Sequence, residues 1–132
     1  MIIEKYQDVA RRIGCETFTA EIAGMECKFG FGGIHGARKK YISSGEFVNI
    51  DVSSMYPSIM LKDKLLSRSA ARDDYRLIYE RKEANPSPSL KILLNSVYGA
   101  MNEPYNPLYD PSRLRKVTKY GQLYMLDLIE KL

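Results

Sequence analysis

The sequence has no tryptophan, one histidine and two cysteines among its 132 residues. Each scarcity removes a class of chemistry. Two cysteines, Cys15 and Cys27, are too few for a disulfide framework or a cysteine-built zinc site, so both read as reduced thiols of a cytoplasmic protein. With His35 as the single histidine, neither a histidine metal site nor a nucleophile–histidine pair can be assembled. No apolar run approaches the ~18 residues that span a bilayer. Glu4 and Asp8 stand where a secretory signal would carry a basic region and then an apolar stretch. The chain therefore reads as neither membrane-spanning nor secreted, and it has no internal repeats or low-complexity tracts.

What is present is an ordinary globular composition, 45% hydrophobic and 27% charged. The length is one domain's worth of chain and can bury a core of its own. Twenty basic against 16 acidic residues leave a formal charge of +4, which permits a polyanionic partner without specifying one. Ten tyrosines suit stacking on bases and suit a small core equally.

Periodicity gives the coarse outline. Ile3, Tyr6, Val9, Ala10 and Ile13 recur at helical spacing and stop at Gly14. Between Glu16 and Phe31 the pattern alternates, with Phe18, Ala20 and Ile22 before Ala23-Gly24 and Met25, Cys27 and Phe29 after it, which predicts a β-hairpin. A glycine-rich loop, Gly30 to Gly36, leads to Arg38-Lys39-Lys40. Phe47 to Val52 reads as a short apolar strand carrying Asp51 near its end, and Met55 to Leu66 as a helix that tolerates Pro57 in its first turn. Asp73 to Glu83 starts acidic and ends basic, as a helix dipole favours. Pro86 and Pro88 interrupt it, and helix resumes from Leu90 to about Asn102. Asp110-Pro111 opens a last helix with the apolar stripe Leu114, Val117, Gly121, Tyr124, Met125, Leu128, Leu132. The predicted class is α+β.

Two places could carry chemistry. A carboxylate at the mouth of an apolar strand, followed by Ser53, Ser54 and a helix start, can hold a divalent metal while the next N–H groups face phosphate. As a lone residue, Asp51 reads first as the cap of that helix. Lys91, Asn95 and Tyr98 share one ridge of a helix, within about 60° of one another, opposite a packed stripe of Leu90, Leu94, Val97 and Met101. A cation, an amide and a ring in line suit a phosphate, a base or sugar edge and a stacked base. They also suit a solvated helix face.

Taken together the two places resemble a known pair. Asp51-Val52-Ser53-Ser54-Met55-Tyr56-Pro57-Ser58 closely resembles the first polymerase motif of family B DNA polymerases, D-x-x-S-L-Y-P-S, with Met55 in place of leucine. Lys91-Ile92-Leu93-Leu94-Asn95-Ser96-Val97-Tyr98-Gly99 is similar to the second motif, K-x-x-x-N-S-x-Y-G, at every specified position. Tyr109-Asp110 and Thr118-Lys119-Tyr120-Gly121-Gln122 resemble the palm helix of polymerases from large tailed bacteriophages, which implies a bacterial or phage-infected cytoplasm. Gly32-Gly33-Ile34-His35-Gly36 resembles the glycine-rich link before the first motif. The resemblance covers about residues 30–132.

This resemblance implies a partial polymerase palm with a short fingers hairpin. Residues 1–29 carry no recognised motif, 30–70 are a palm portion, 71–102 the fingers and 103–132 the palm helix. Asp51 would be a catalytic metal ligand, with the Val52 carbonyl also facing Mg²⁺. Ser53, Ser54 and Met55 would present N–H groups to the triphosphate of a dNTP, and Tyr56 would lie under its sugar and exclude a 2′-hydroxyl. Lys91 would reach the α phosphate, and Asn95 and Tyr98 would line the nascent base pair. Arg81 and Lys82, like Arg76, sit where the family has basic triphosphate ligands. Gly32, Gly33, His35, Arg38, Lys39, Lys40 and Gly99 would contact primer-template DNA. In this family two Mg²⁺ ions about 3.5–4 Å apart serve nucleotidyl transfer. The second metal-binding aspartate lies in a Y-x-D-T-D-S hairpin, and these 132 residues contain no such motif. The chain is thus expected to be inactive alone and to need a complementing polypeptide, or a second copy across an open sheet edge. The alternative is a catalytically silent relative that binds nucleotide or nucleic acid.

Overall fold

The computed structural model describes residues 1–132 and is α+β, with six helices and one three-stranded antiparallel sheet in the order β1-β2-β3. It divides into two units. One comprises Met1–Ser53 with Thr118–Leu132, and the other Ser54–Val117. No helix is long and apolar enough to cross a membrane.

In the first unit, β1 (Phe18–Ile22) and β2 (Met25–Phe29) form the expected hairpin around Ala23-Gly24. Both turn residues have positive φ, 51° and 74°, the mirror-image turn whose twist suits a two-residue hairpin. Strand alternation sends Phe18, Ile22, Cys27 and Phe29 into the core. Phe18 and Phe29 are register partners, and their rings stack with centroids 4.7 Å apart. Burial pushes the Cys27 thiol pKa upward.

Four expectations change in this unit. The predicted helix from Ile3 to Ile13 is two pieces, α1 (Ile2–Lys5) and α2 (Gln7–Arg12), because Tyr6 leaves helical geometry at φ −125° and ψ 45°. Its hydroxyl lies 2.9 Å from Asp127 Oδ1 and 2.5 Å from Glu130 Oε2. Burial first, and the Glu130 bond next, push this phenol up to about 12. Asp127 also takes Lys5 and Lys131, and its carboxyl is held well below the ordinary range by Lys131 first and Lys5 next.

Part of the glycine-rich loop is a strand, β3 (Ile34–Gly36), with His35 paired to Lys28 rather than free in a loop. Phe47 to Val52, by contrast, is not a strand. The chain supplies it no neighbouring strand, and a ladder needs a partner for its donors and acceptors. Phe47, Val48, Ile50 and Val52 are accordingly 74, 86, 56 and 42% exposed. Asp51 therefore stands on exposed backbone outside any strand or helix.

The last helix, α6 (Pro111–Lys131), starts where predicted, but its predicted stripe is only partly the buried one. Val117 and Gly121 of that stripe are buried, yet Tyr120, Gln122, Leu123 and Leu126 are buried beside them, whereas Leu114, Tyr124, Met125 and Leu128 are half-buried and Leu132 is exposed. Gln122 is carried inside with Leu123 and Leu126, and its Nε2 donates to the Gly30 carbonyl at 2.8 Å.

The second unit holds α3 (Met55–Lys62), α4 (Arg72–Ala84) and α5 (Pro88–Ala100). Sequence periodicity carries α3 on to Leu66, but it stops at Lys62. Lys64 turns left-handed at φ 55°, Leu65 N–H bonds back to the Met60 carbonyl, and Leu65 and Leu66 fold into the core. Pro86 breaks the chain as expected, and Pro88 is the first residue of α5, so the helix begins two residues before Leu90. Tyr75 donates to the Leu94 carbonyl at 3.1 Å and joins α4 to α5; Ser58 and Tyr79, 3.0 Å apart, join α3 to α4. Asp110 caps α6, its carbonyl accepting from Leu114 N–H at 3.0 Å, and its carboxylate faces Arg68 and Arg113.

One glycine is required by packing. A Cβ at Gly36 would fall 2.6 Å from Cys27 Sγ, 3.2 Å from Met25 Cε and 3.3 Å from the Glu26 carbonyl oxygen. Cys27 is fully buried and has no room to yield. Gly36→Ala should lower stability by about 1–3 kcal/mol, the range for overpacking; an unchanged midpoint of thermal unfolding would show that β3 moves freely away from β2.

Candidate nucleotide-binding site

The second unit brings residues of the two motifs together. Ser54 precedes α3 in left-handed geometry, φ 51° and ψ 47°, a conformation costing a non-glycine residue about 1–2 kcal/mol. The first N–H groups of a helix have no partner within it, and with Pro57 at the third position the open donors of α3 are those of Met55 and Tyr56. A half-buried helix start of this kind, with open N–H donors, favours an anion.

Lys82 and Glu83 reach this point from the end of α4. Lys82 Nζ donates to Ser54 Oγ at 2.5 Å and to Glu83 Oε1 at 3.1 Å, while Ser54 Oγ donates to Glu83 Oε1 at 3.2 Å. The Lys82 hydrogen bond foremost holds the Glu83 carboxyl below its ordinary value. Sequence reasoning missed Glu83. Its signal is local, an acid directly after the base expected to meet phosphate.

The Tyr56 and Tyr98 rings stack, with centroids 4.6 Å apart and planes 29° from parallel. Two tyrosines 42 positions apart thus form one half-buried aromatic surface. Burial first, and Tyr56 second, push the Tyr98 phenol up to about 12. On α5 the expected division of faces holds in outline: Lys91 and Asn95 are exposed, Leu94 and Met101 are buried, and Leu90, Val97 and Tyr98 are intermediate. Arg81 and Gly99 are exposed, and a Cβ at Gly99 would meet open space.

The other candidates lie in the first unit. Asp51, Val52 and Ser53 are exposed. Carboxylate and carbonyl oxygens are hard ligands that fit Mg²⁺, which is usually held by one or two carboxylates together with substrate phosphates. Asp51 and the Val52 carbonyl offer such oxygens on open backbone, and the chain has no cluster of three or more His, Cys, Asp or Glu side chains. Gly32 is exposed and Gly33 half-buried. His35 is exposed on β3, beside a shallow recess of about 350 Å³ shared with Lys28 and Glu26. Arg38 lies over the Tyr41 ring at 5.2 Å, Lys39 faces Glu26 at 3.9 Å, and Lys40 is exposed in left-handed geometry.

No protein-family model, curated protein or solved structure matches this chain.

The pKa of Tyr98 has a consequence for stability at high pH. A phenol raised in the folded state contributes stability that is complete below its unfolded value near 10 and is lost as pH rises through about 12. Tyr98→Phe keeps the ring and removes the titration. Its loss of stability between pH 10 and 12 should be shallower than that of the parent chain, leaving the parts due to Tyr75 and Tyr6, whose phenols are raised too. Parallel curves in denaturant titrations across this range would contradict the burial of Tyr98.

Proposed function

We propose that this chain is the palm and fingers portion of a family B DNA-directed DNA polymerase, binding an incoming dNTP, Mg²⁺ and primer-template DNA. The observation that carries the reading is the meeting of the two motifs in the second unit, where Tyr56 stacks on Tyr98 and Lys82 bonds Ser54. The start of α3 and Lys82 suit a triphosphate, and the paired rings suit a sugar and base. In this reading Lys91 and Asn95 extend the same surface along α5. Asp51 and the Val52 carbonyl would hold Mg²⁺, which when bound supplies charge neutralisation at the reacting phosphate. Arg38, Lys40 and His35 are the groups left to meet DNA phosphates. In this reading the second metal-binding aspartate lies in a complementing segment outside these 132 residues, and the exposed, unpaired run from Phe47 to Val52 is where a strand of that segment would pair.

One observation favours a second reading, a binding module without chemistry: Asp51 belongs to no group of three or more His, Cys, Asp or Glu side chains that could hold a metal ion. The two readings separate in a primer-extension assay with Mg²⁺ and a polypeptide carrying the Y-x-D-T-D-S hairpin. The polymerase reading predicts extension that Asp51→Asn lowers by at least about a hundredfold, the rate equivalent of roughly 3 kcal/mol. No extension, with dNTP binding intact, selects the binding module. In the same assay Tyr56→Ala should admit ribonucleotides, and unchanged sugar discrimination would rule out steric exclusion by this ring.

A further inference from the structure

Lys82 is a cation that the fold has largely taken out of water, with 14% of its side chain exposed against 42% for Glu83. Its ammonium, the Ser54 hydroxyl and the Glu83 carboxylate close a cycle of three hydrogen bonds. Consecutive helical residues diverge by about 100°. Lys82 and Glu83 converge because both bend toward Ser54, 28 and 29 positions earlier. The cycle is thus built across two helices and differs from an incidental pair of neighbours on one helix face.

We propose that Glu83 is a displaceable counterion, a positioning residue that holds Lys82 at Ser54 in the free protein and gives it up to the phosphates of an incoming nucleotide. This inference rests on the nucleotide-binding reading above. Glu83 places its negative charge at the atoms a triphosphate would have to approach. Two anions about 4 Å apart repel, by roughly 1 kcal/mol in bulk water and more at a partly enclosed site. Glu83 is exposed enough to swing into solvent, where water replaces both of its bonds. Lys82 is not, and its ammonium would stay beside Ser54 and exchange one anionic partner for another. The carboxylate therefore lowers affinity while keeping the lysine in place, and it screens the site from weaker anions.

Calorimetric titration of Mg·dATP into the full chain and its Glu83→Gln variant tests this. The amide keeps an acceptor for Lys82 and removes the charge, so the variant should bind about threefold to tenfold more tightly. The gain should shrink toward high salt, where charge is screened, whereas a merely structural effect would persist. In a Lys82→Met background the same Glu83→Gln change should give less than half that gain. Equal or weaker binding by Glu83→Gln, or an undiminished gain without Lys82, would overturn the counterion role. Failure of both the parent chain and Glu83→Gln to bind Mg·dATP, with thermal unfolding unaltered, would overturn the nucleotide reading and the role with it.

Discussion

Everything at the candidate site depends on the mutual burial of three short helices. α3 has eight residues and α4 and α5 thirteen each, and isolated helices below ~12–15 residues are marginal in water. They persist because they cover one another. Met60, Leu94 and Met101 are fully buried, and Tyr75 and Tyr79 tie α4 to α5 and α3 by hydrogen bonds. The Tyr56–Tyr98 stack and the Lys82–Ser54–Glu83 cycle are products of this packing, since each joins α3 or its cap to another helix. Any change that loosens the packing would first be felt as a loss of site geometry.

The first unit solves a different problem. Its sheet has three strands, and β3 is only three residues long. What makes it a unit is the apolar layer of Phe18, Ile22, Cys27 and Phe29 with Leu123 and Leu126 of α6, flanked by polar ties from Gln122 to Gly30 and from Tyr6 to Asp127. The run from Tyr41 to Val52 takes no part. Tyr41, Ile42, Phe47, Val48 and Ile50 are exposed, an expense of apolar surface that a partner strand would recover.

Where local pattern and tertiary demand agree, the sequence was legible. The β1–β2 hairpin follows from alternation around the glycine-containing turn Ala23-Gly24, and the α4–α5 break from Pro86. Legibility failed where distant groups decide. Tyr6 breaks a helix and bonds carboxylates some 120 positions away, and α6 buries Gln122 against the Gly30 carbonyl together with Leu123 and Leu126. Phe47 to Val52 has strand composition, but composition does not supply a second strand. At the site, residue types and spacing singled out Lys91, Asn95 and Tyr98, and the motif resemblance added Tyr56, while the stacking of the two tyrosines and the bonds of Glu83 to Lys82 and Ser54 arise only in the folded chain. Asp51, Val52 and Ser53 fall in one unit and Ser54 onward in the other, a division invisible in a motif read as one string.

The central claim is that one surface of the second unit receives a nucleotide. The most direct measurement is an NMR titration of the isotopically labelled chain with Mg·dATP. The account predicts that shifted amides cluster at Ser54, Met55 and Tyr56, at Lys82 and Glu83, and at Lys91, Asn95 and Tyr98. Shifts confined to the sheet around Lys28 and His35, or none at millimolar nucleotide, would contradict it.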